Sequence, residues 1–330
     1  MRWLWAFAIA LFSTAGCVTA PGPDPDGVDL VGRTDDFVVL RVGGRTSYES
    51  LAREYLGGAD VAGVIRAANG GGRLSAGDVV LVPLRPRNAS SVYADGYQTI
   101  PILCYHRFAN ERSEDPLVVA AADFRAQLSY LRDNGYSVVS LRRLERFLAG
   151  DGVLPDKAVV LTIDDGYRSV QEIAYPLLKE FGYTATLFVY PDFIGGGHAL
   201  SWAQLGALQA SGVIEVQSHS KSHASHSASP NETEAEYEAR LNEEITVSKR
   251  ALQRRLGLGM DHYAYPYGDT SPTTVRKLER AGVTLAATVQ RGANASFAPP
   301  FWLKRDMIYG QDSLGTFARR LAVYRQVDLK

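Results

Sequence analysis

The spacing of hydrophobic and polar positions changes several times along the chain, and each change predicts a different element. Residues 37–42 alternate weakly and are rich in β-branched side chains, which predicts a strand. Ser47 is a suitable helix N-cap, and apolar residues follow it at helical spacing in two stretches. A second apolar run, 79–82, predicts a closing strand. Residues 37–84 are therefore expected to form a small β-α-α-β module.

The longer remainder of the chain alternates apolar strands with amphipathic helices. The predicted strands are 100–105, 138–139, 158–163, 184–190, 213–216, 263–265 and 283–287. The predicted helices are 123–134, 141–148, 170–181, 201–210 and 232–256. Repeating β-α units predict a parallel sheet with helices outside it. The fold class is α/β, and the roughly 210 residues available suit an incomplete (β/α) barrel.

Two segments without apolar periodicity divide the chain. Residues 18–36 are rich in Pro, Gly and Asp, which predicts a flexible tether. Residues 85–96 contain further Pro, Asn and Ser and predict a linker. The large domain is then expected to span residues 97–330.

The first seventeen residues have the pattern of a targeting signal. Arg2 precedes an unbroken apolar run, 3–12, which is too short to span a bilayer and suits the core of a signal peptide over 1–17. The small residues before Cys17 resemble the lipobox of bacterial lipoproteins, which implies lipidation of Cys17 and a membrane anchor in the cell envelope. The alternative is an ordinary secretory peptide that is cleaved nearby.

Composition excludes several classes of protein. The 330 residues are 46% hydrophobic and 22% charged, as in ordinary globular proteins. Lys and Arg total 35 against 36 Asp and Glu, so no overall basic field exists to bind nucleic acid. Two cysteines cannot build a disulfide framework. Cys104 lies in an apolar stretch and is predicted to be a buried small side chain.

Three of the predicted strands are followed by residues that carry chemistry. Asp164 and Asp165 come after 158–163, His219 and His223 follow 213–216, and Pro266-Tyr267-Gly268 follows 263–265. Catalytic residues of barrels lie at these strand ends, and a carboxylate with two histidines can hold a metal with open positions. Each motif alone is more often a turn or a chance surface pair. Their order and shared placement favour one site.

The small module resembles a LysM domain, which implies binding of N-acetylglucosamine chains in a shallow groove. The resemblance rests on residues that fall in step with the family pattern: Val39, Gly43, Tyr48, Leu51, Ala52, Leu56, Ile65, Asn69, Leu74, Gly77, Val80, Val82 and Pro83. Thr46 and Ser47 replace the usual Asp-Thr of that pattern. The alternative is a degenerate module that only spaces the next domain.

The three strand-end motifs together resemble a polysaccharide deacetylase of carbohydrate esterase family 4. The resemblance implies that Asp164 is the general base, and that Asp165, His219 and His223 bind the metal. It also implies that Pro266 lies at the substrate and that the Tyr267 backbone N–H stabilises the oxyanion. Zn²⁺ suits this ligand set, and Co²⁺ or Ni²⁺ would also fit.

Two departures from the family pattern bear on the site. Ala264 stands where the third motif usually has Arg, and no histidine follows His262 to serve as the late general acid. The opening Pro101–Arg107 instead resembles the poly-β-1,6-N-acetylglucosamine deacetylase branch, in which a histidine at the first strand is the acid. His106 becomes the acid candidate, or else it only caps the strand. Arg305, in preference to Lys304, is expected to orient Asp164.

The sequence therefore predicts a metal-dependent hydrolase that removes N-acetyl groups from N-acetylglucosamine polysaccharide, with metal-bound water attacking and Asp164 as base. Trp202 either borders the sugar groove or packs in the core. Two other functions remain open: a non-catalytic glycan-binding envelope lipoprotein, and a metal-dependent O-acetyl esterase or amide hydrolase. The LysM resemblance points to peptidoglycan or chitin-like β-1,4 chains, and the opening motif points to β-1,6 chains.

Overall fold

The structure is a computed structural model that describes residues 27–34, 36–84, 90–93 and 95–327. The predicted signal peptide, its Cys17 and the first part of the predicted tether lie outside these residues. The chain forms two compact units that divide between residues 85 and 86. Within the described residues, no helix is both long and apolar enough to cross a membrane.

The N-terminal unit is a three-stranded antiparallel sheet covered by two short helices. Its elements are β1 (Val28–Arg33), β2 (Phe37–Val42), α1 (Tyr48–Leu56), a 3₁₀ turn (Ala59–Val61), α2 (Ala62–Ala68) and β3 (Val79–Pro83). The strand order is β1-β2-β3. Ser47 caps α1 by accepting a hydrogen bond from the Ser50 N–H. The helices and strands predicted over 37–84 are present, and Leu40, Leu51 and Ile65 are buried in the unit.

The tether predicted over 18–36 is wrong for residues 28–33, which form β1. This strand pairs with β2 in register from Val28 opposite Val42 to Arg33 opposite Val38, with an irregularity after Leu30. Its side chains contribute little burial, because Leu30 is 63% exposed and Val31 is 55% exposed. Backbone hydrogen bonds to the edge of β2 therefore hold this strand. The polar and Pro- and Gly-rich composition of the segment did not indicate it.

The C-terminal unit contains the remaining elements, which were only partly predicted. Its strands are β4 (Val92–Tyr93), β5 (Gly96–Ile100), β6 (Ile102–Tyr105), β7 (Arg107–Ala109), β8 (Val118–Ala120), β9 (Ser137–Val138), β10 (Ala158–Ile163), β11 (Ala185–Val189), β12 (Ile214–Ser218), β13 (His262–Ala264), β14 (Leu285–Ala287), β15 (Asn294–Ala295), β16 (Asp306–Met307) and β17 (Tyr324–Gln326). Its helices are α3 (Ala121–Asp133), α4 (Leu141–Leu148), α5 (Tyr175–Phe181), α6 (Trp202–Ala210), α7 (Glu234–Leu256), α8 (Pro272–Arg280) and α9 (Leu314–Arg319).

A parallel sheet organises this unit. The strand order is β14-β13-β12-β11-β10-β6-β16, and β9 pairs beside β10. All six residues of β10 are buried, as expected for a strand covered on both faces. The predicted incomplete (β/α) barrel is confirmed as a half-barrel of parallel strands.

Several elements were not predicted from the sequence. The predicted helix 170–181 is a π turn, Val170–Ala174, followed by α5. Helices α8 and α9 were not predicted, nor was the small antiparallel sheet in which β5 pairs with β4, β15 and β17. Strands of two or three residues carry too few positions to show a period of two.

Candidate metal and catalytic site

The predicted site residues converge at one edge of the parallel sheet. Asp164 and Asp165 follow β10, His219 follows β12, and His106 follows β6. Neighbouring parallel strands end at the same edge, so motifs that are more than fifty residues apart become adjacent. Arg305 reaches the site from another strand. It immediately precedes β16, which pairs with β6 at one side of the sheet.

Asp164 and Arg305 form a buried two-pronged ion pair. The two terminal nitrogens of Arg305 each donate to one carboxylate oxygen of Asp164 at 2.7 Å. The Arg305 Nε donates to the carbonyl of Thr288 at 2.9 Å, which fixes the guanidinium plane. Burial by itself raises the pKa of Asp164, but Arg305 and His219 outweigh it and hold that pKa well below its ordinary value. Asp164 is therefore a fixed, ionised carboxylate.

Asp165 has the opposite electrostatic situation. Its nearest charged or titratable neighbours include nitrogens of His223 at 3.6 Å and His219 at 3.8 Å, both beyond hydrogen-bond distance. Burial, together with the charge of Asp164, raises the pKa of Asp165 to about 7. A buried carboxylate that is destabilised in this way is typical of a site that binds a cation.

The two histidines are held as neutral ligands. His219 Nδ1 lies 2.8 Å from the carbonyl of Ala264, so Nδ1 donates there and Nε2 keeps its lone pair toward the aspartates. Burial lowers the pKa of His219 to about 3, and burial also lowers the pKa of His223. A deprotonated imidazole is the form that binds a metal.

Glu244 on α7 anchors the loop that carries the histidines. One of its oxygens accepts hydrogen bonds from the backbone N–H groups of Lys221 and Ser222 at 3.0 and 2.9 Å, and the other accepts from the Ser222 hydroxyl at 2.7 Å. Sequence analysis missed this residue because its helix has mixed charge on most faces. Glu244 lies on the buried face of the helix, directly before the buried Ile245. An acidic residue at such a position could have indicated its role.

Backbone strain concentrates at this site. Of the five non-glycine residues with positive φ in the described part of the chain, four belong to the site loops: Asp165, Ser220, His223 and Tyr267. Conformations of this kind cost energy and cluster where a functional geometry must be held. Gly268, with φ 78°, has no room for a Cβ, which would lie 2.7 Å from the Val289 backbone nitrogen. The turn after β13 is therefore fixed by its sequence.

Asp165, His219 and His223 fit a divalent metal. Their ligand atoms lie within 4.8 Å of one another. A tetrahedral zinc site with bonds of 2.0–2.2 Å places neighbouring N and O ligands about 3.4 Å apart. The observed 3.6 and 3.8 Å require only small movements. Two neutral imidazoles and one poorly compensated carboxylate supply the donor set of a hydrolytic metal site with open positions.

His106 and Cys104 lie on the other side of Asp164. The Cys104 thiol donates to an Asp164 oxygen at 3.4 Å, and burial raises the pKa of Cys104 well above its ordinary value. His106 is half-buried, its Nδ1 has no hydrogen-bond partner among the described residues, and burial lowers its pKa. The structure thus brings the acid candidate beside the base candidate. The buried Cys104 was predicted, but its contact with Asp164 was not.

Aromatic rings border the site on the side of His223. The ring of Tyr190 lies 5.2 Å from His223 and stacks on Phe193, which meets Tyr167 edge-on at 4.9 Å. The ring of Tyr267 also meets His223 edge-on at 4.6 Å, and Tyr267 is 65% exposed. Apart from Tyr267, these rings were not singled out from sequence, since isolated aromatic residues near strand ends give no distinctive pattern.

The two predicted substrate-binding residues differ from the rest of the set. Pro266 is buried in the turn that positions Tyr267. Trp202 begins α6 and packs against the main hydrophobic core, with the Arg255 guanidinium 5.9 Å from its ring. These contacts of Trp202 are those of the core-packing alternative, and they do not bring it to the aspartates and histidines.

Comparison with known proteins gives the fold and the site a family context. The family model described as polysaccharide deacetylase matches residues 151–286, which include both aspartates, both histidines and the turn at Tyr267. Residues 151–286 therefore resemble the polysaccharide deacetylase family. Two solved structures resemble this deacetylase domain. The Streptococcus pyogenes deacetylase PplD, in complex with acetate, is 25% identical with a TM-score of 0.60 and covers 68% of this chain and 98% of its own. IcaB from Ammonifex degensii is 29% identical with a TM-score of 0.60, covering 70% and 97%.

Curated relatives of the deacetylase domain are longer than the matched region. The Escherichia coli (strain K12) protein named poly-beta-1,6-N-acetyl-D-glucosamine N-deacetylase is 24% identical over 261 residues, which are 68% of this chain and 38% of that protein. The Staphylococcus aureus (strain MRSA252) protein of the same name is 21% identical over 209 residues, covering 61% and 71%. For YxkH of Bacillus subtilis (strain 168) the match spans 66% of the relative. The predicted deacetylase resemblance is confirmed at the level of the domain.

Proposed function

We propose that the deacetylase domain hydrolyses N-acetyl groups on an N-acetylglucosamine polysaccharide. One observation carries the proposal: a metal-competent triad, Asp165, His219 and His223, lies directly beside a carboxylate that Arg305 keeps ionised. Amide hydrolysis requires a Lewis-acid site and a base held close to it, and the ends of these strands place both together. The names of the Escherichia coli and Staphylococcus aureus relatives support the same chemistry.

The proposed roles follow from where each group lies. Asp165, His219 and His223 would hold a divalent cation, which would supply Lewis-acid polarisation of the acetamide carbonyl and of the attacking water. Asp164 accepts the proton of the attacking water, and Arg305 holds its two oxygens in place. The Tyr267 backbone N–H contributes to the oxyanion environment, and His106 donates a proton to the departing amine. The products are acetate and a glucosamine unit.

Zn²⁺ is the proposed cofactor because two imidazoles and one carboxylate suit it, and Co²⁺ or Ni²⁺ would bind the same donors. The proposed substrate is a polymer in which the acetylated sugar is flanked by further sugars. Tyr267 and Tyr190 offer ring surface beside the triad for such a chain. The names of the two relatives favour a β-1,6 linkage.

Acetate release tests this function. The protein is incubated with Zn²⁺ and N-acetylglucosamine oligomers of β-1,6 and β-1,4 linkage, beside Asp164→Asn and a chelator-treated sample. We expect acetate from the wild type and a loss of at least ~100-fold in both controls, and the faster oligomer identifies the linkage. Metal binding without acetate release from either oligomer or from peptidoglycan would refute deacetylation and favour the glycan-binding function. Faster release from O-acetylated xylan would favour the esterase.

We also propose that the N-terminal unit binds the same class of glycan, as its resemblance to LysM implies. A cavity of about 600 Å³ lies between the loops 44–49 and 71–74. Gly72 lines it, and a Cβ there would meet nothing, so Gly72→Phe should fill the cavity without disturbing the fold. We expect this variant to lose binding of N-acetylglucosamine oligomers in calorimetry, while Gly63→Phe, which lies on α2 outside the cavity, retains it. Equal affinity of both variants would refute the assignment.

The proposed location is the bacterial cell envelope, with a lipid anchor on Cys17. This proposal rests on the N-terminal sequence, which lies outside the described residues. Metabolic labelling with a fatty acid and fractionation of cells test it. We expect label on the wild type and none on Cys17→Ser. A wild-type protein that is exported without label would favour the ordinary secretory peptide.

A further inference from the structure

A second group of metal-binding side chains lies beside the proposed catalytic triad. Cys104, His106 and Asp164 place one ligand atom each within 4.8 Å of one another. They face Asp164 from the strand β6, whereas the catalytic triad contains the neighbouring aspartate and the loop after β12. The proposed reaction uses His106 and Asp164 for proton transfer and gives Cys104 no part.

The distances in this group match those of a metal site. The Cys104 sulfur lies 3.4 Å from an Asp164 oxygen. A tetrahedral zinc with Zn–S of about 2.3 Å and Zn–O of about 2.1 Å separates these two ligands by about 3.6 Å. His106 supplies an independent sign of a missing partner, because its buried Nδ1 has no hydrogen bond among the described residues. A cation bound through Nδ1 would satisfy a group that otherwise remains desolvated without a partner.

We propose that Cys104, His106 and Asp164 form an inhibitory site for a soft divalent cation, Cd²⁺ or excess Zn²⁺. The thiol selects soft metals over Mg²⁺ and Mn²⁺, and it loses its proton when the metal binds. Occupation of this site removes the lone pairs of both His106 and Asp164 from proton transfer. The inhibition rests on the proposed function, whereas the binding does not.

The charge of Arg305 sets the order in which the two sites fill. Its guanidinium is 2.7 Å from both oxygens of Asp164, so a second cation must bind beside a fixed positive charge. Among the described residues Asp165 has no such direct cationic partner; the nearest nitrogens of the two neutral histidines lie 3.6 and 3.8 Å from its carboxylate. We therefore expect the catalytic triad to fill first, and the Cys104 site to fill only with metal in excess.

Metal titration of the full chain tests the site without reference to catalysis. The chain is loaded with one equivalent of Zn²⁺ and titrated with Cd²⁺, and bound metal is measured by equilibrium dialysis beside the thiolate-to-metal absorption in the ultraviolet. We expect the wild type to bind one more equivalent than Cys104→Ser and to show a thiolate band that this variant lacks. Cys17 is present in both proteins, so the difference reports on Cys104. Equal binding and equal absorption would overturn the proposal.

Three further arms keep the outcome clear. Asp165→Asn, which disrupts only the catalytic triad, should retain the thiolate band. His106→Gln, at a half-buried position, should weaken it and provides a second test if the serine variant folds poorly. In acetate release, each protein is compared with its own rate at one equivalent of Zn²⁺, and Cys104→Ser should need at least ~10-fold more metal for the same inhibition. A thiolate band without any acetate release would instead refute the proposed function and leave the metal site standing.

Discussion

Replacing Arg305 by Met should destabilise the C-terminal unit by about 3–5 kcal/mol, because it leaves the Asp164 carboxylate buried without its counter-charge. Arg305 is fully buried and the Asp164 side chain is 2% exposed, so water cannot screen the loss. For a unit of this size each kcal/mol corresponds to about 2–4 °C, which predicts a fall in Tm of ~6–20 °C. The measurement is thermal unfolding in the presence of a chelator, so that metal binding does not contribute.

Three variants separate the ion pair from loss of packing. The double variant Arg305→Met with Asp164→Asn has no unpaired charge and should recover most of the stability, but not activity. Arg305→Lys keeps the charge without the two-pronged geometry, so its Tm should lie between those of the wild type and Arg305→Met. Arg146→Met, which removes a 64% exposed partner of the 77% exposed Asp151, should cost less than about 1 kcal/mol.

The pH dependence of the unfolding temperature provides a second test of this ion pair. Since Arg305 holds the pKa of Asp164 below its ordinary value, the pair stabilises the fold above pH ~4, and this contribution is lost as the pH falls further. The difference in Tm between the wild type and Arg305→Met should therefore narrow as the pH falls below ~4. A double variant as unstable as Arg305→Met alone, or a gap independent of pH, would refute the reasoning.

Three more predictions follow from the structure. Glu244→Ala removes the anchor of the histidine loop, so metal affinity measured by dialysis should fall about 10–100-fold, whereas Glu238→Ala on the same helix should leave it unchanged. Gly268→Ala should cost more than about 2 kcal/mol in urea unfolding because its Cβ meets the backbone of Val289, and Gly257→Ala, with φ 69° and open space, should cost about 1 kcal/mol; equal costs would contradict the role of the clash. A hydrogen bond from His262 lowers the pKa of Glu145 to about 2, so Glu145→Gln should cost about 1–2 kcal/mol at pH 7, and that cost should shrink as the pH falls below ~4.5; a cost that stays constant with pH would contradict the pairing.

The sequence predicted the site better than the scaffold around it, for a physical reason. Asp164, Asp165, His219 and His223 each follow a strand whose apolar run is visible locally, and parallel pairing then brings the strand ends together. The residues that were missed act through contacts with no local pattern. Glu244 lies more than twenty residues from the loop that it holds, and it resembles the solvated glutamates of its helix until its burial is known.

Strand β1 was missed for a related reason, because backbone pairing rather than a buried face holds it. Its two most apolar side chains, Leu30 and Val31, are exposed, so the usual argument from burial fails there. Helix α8 shows the converse, since it has Pro at its start, a capping Ser271 and a buried Leu278, all of which could have been predicted. The local sequence was therefore sufficient to predict this helix.

Asp164, the proposed base, shows how the charge of a buried carboxylate can be balanced from a strand other than the one that the family pattern uses. Ala264 on β13 is fully buried and its carbonyl accepts a hydrogen bond from His219, so the position at which the family pattern has Arg supplies no positive charge here. Asp164 must still be compensated, because an unpaired buried carboxylate would take up a proton and lose its ability to act as a base. Arg305, which directly precedes the edge strand β16, meets this need by donating to both oxygens at 2.7 Å. The requirement belongs to the carboxylate and its burial, and any strand whose side chain reaches that point in the barrel interior can satisfy it.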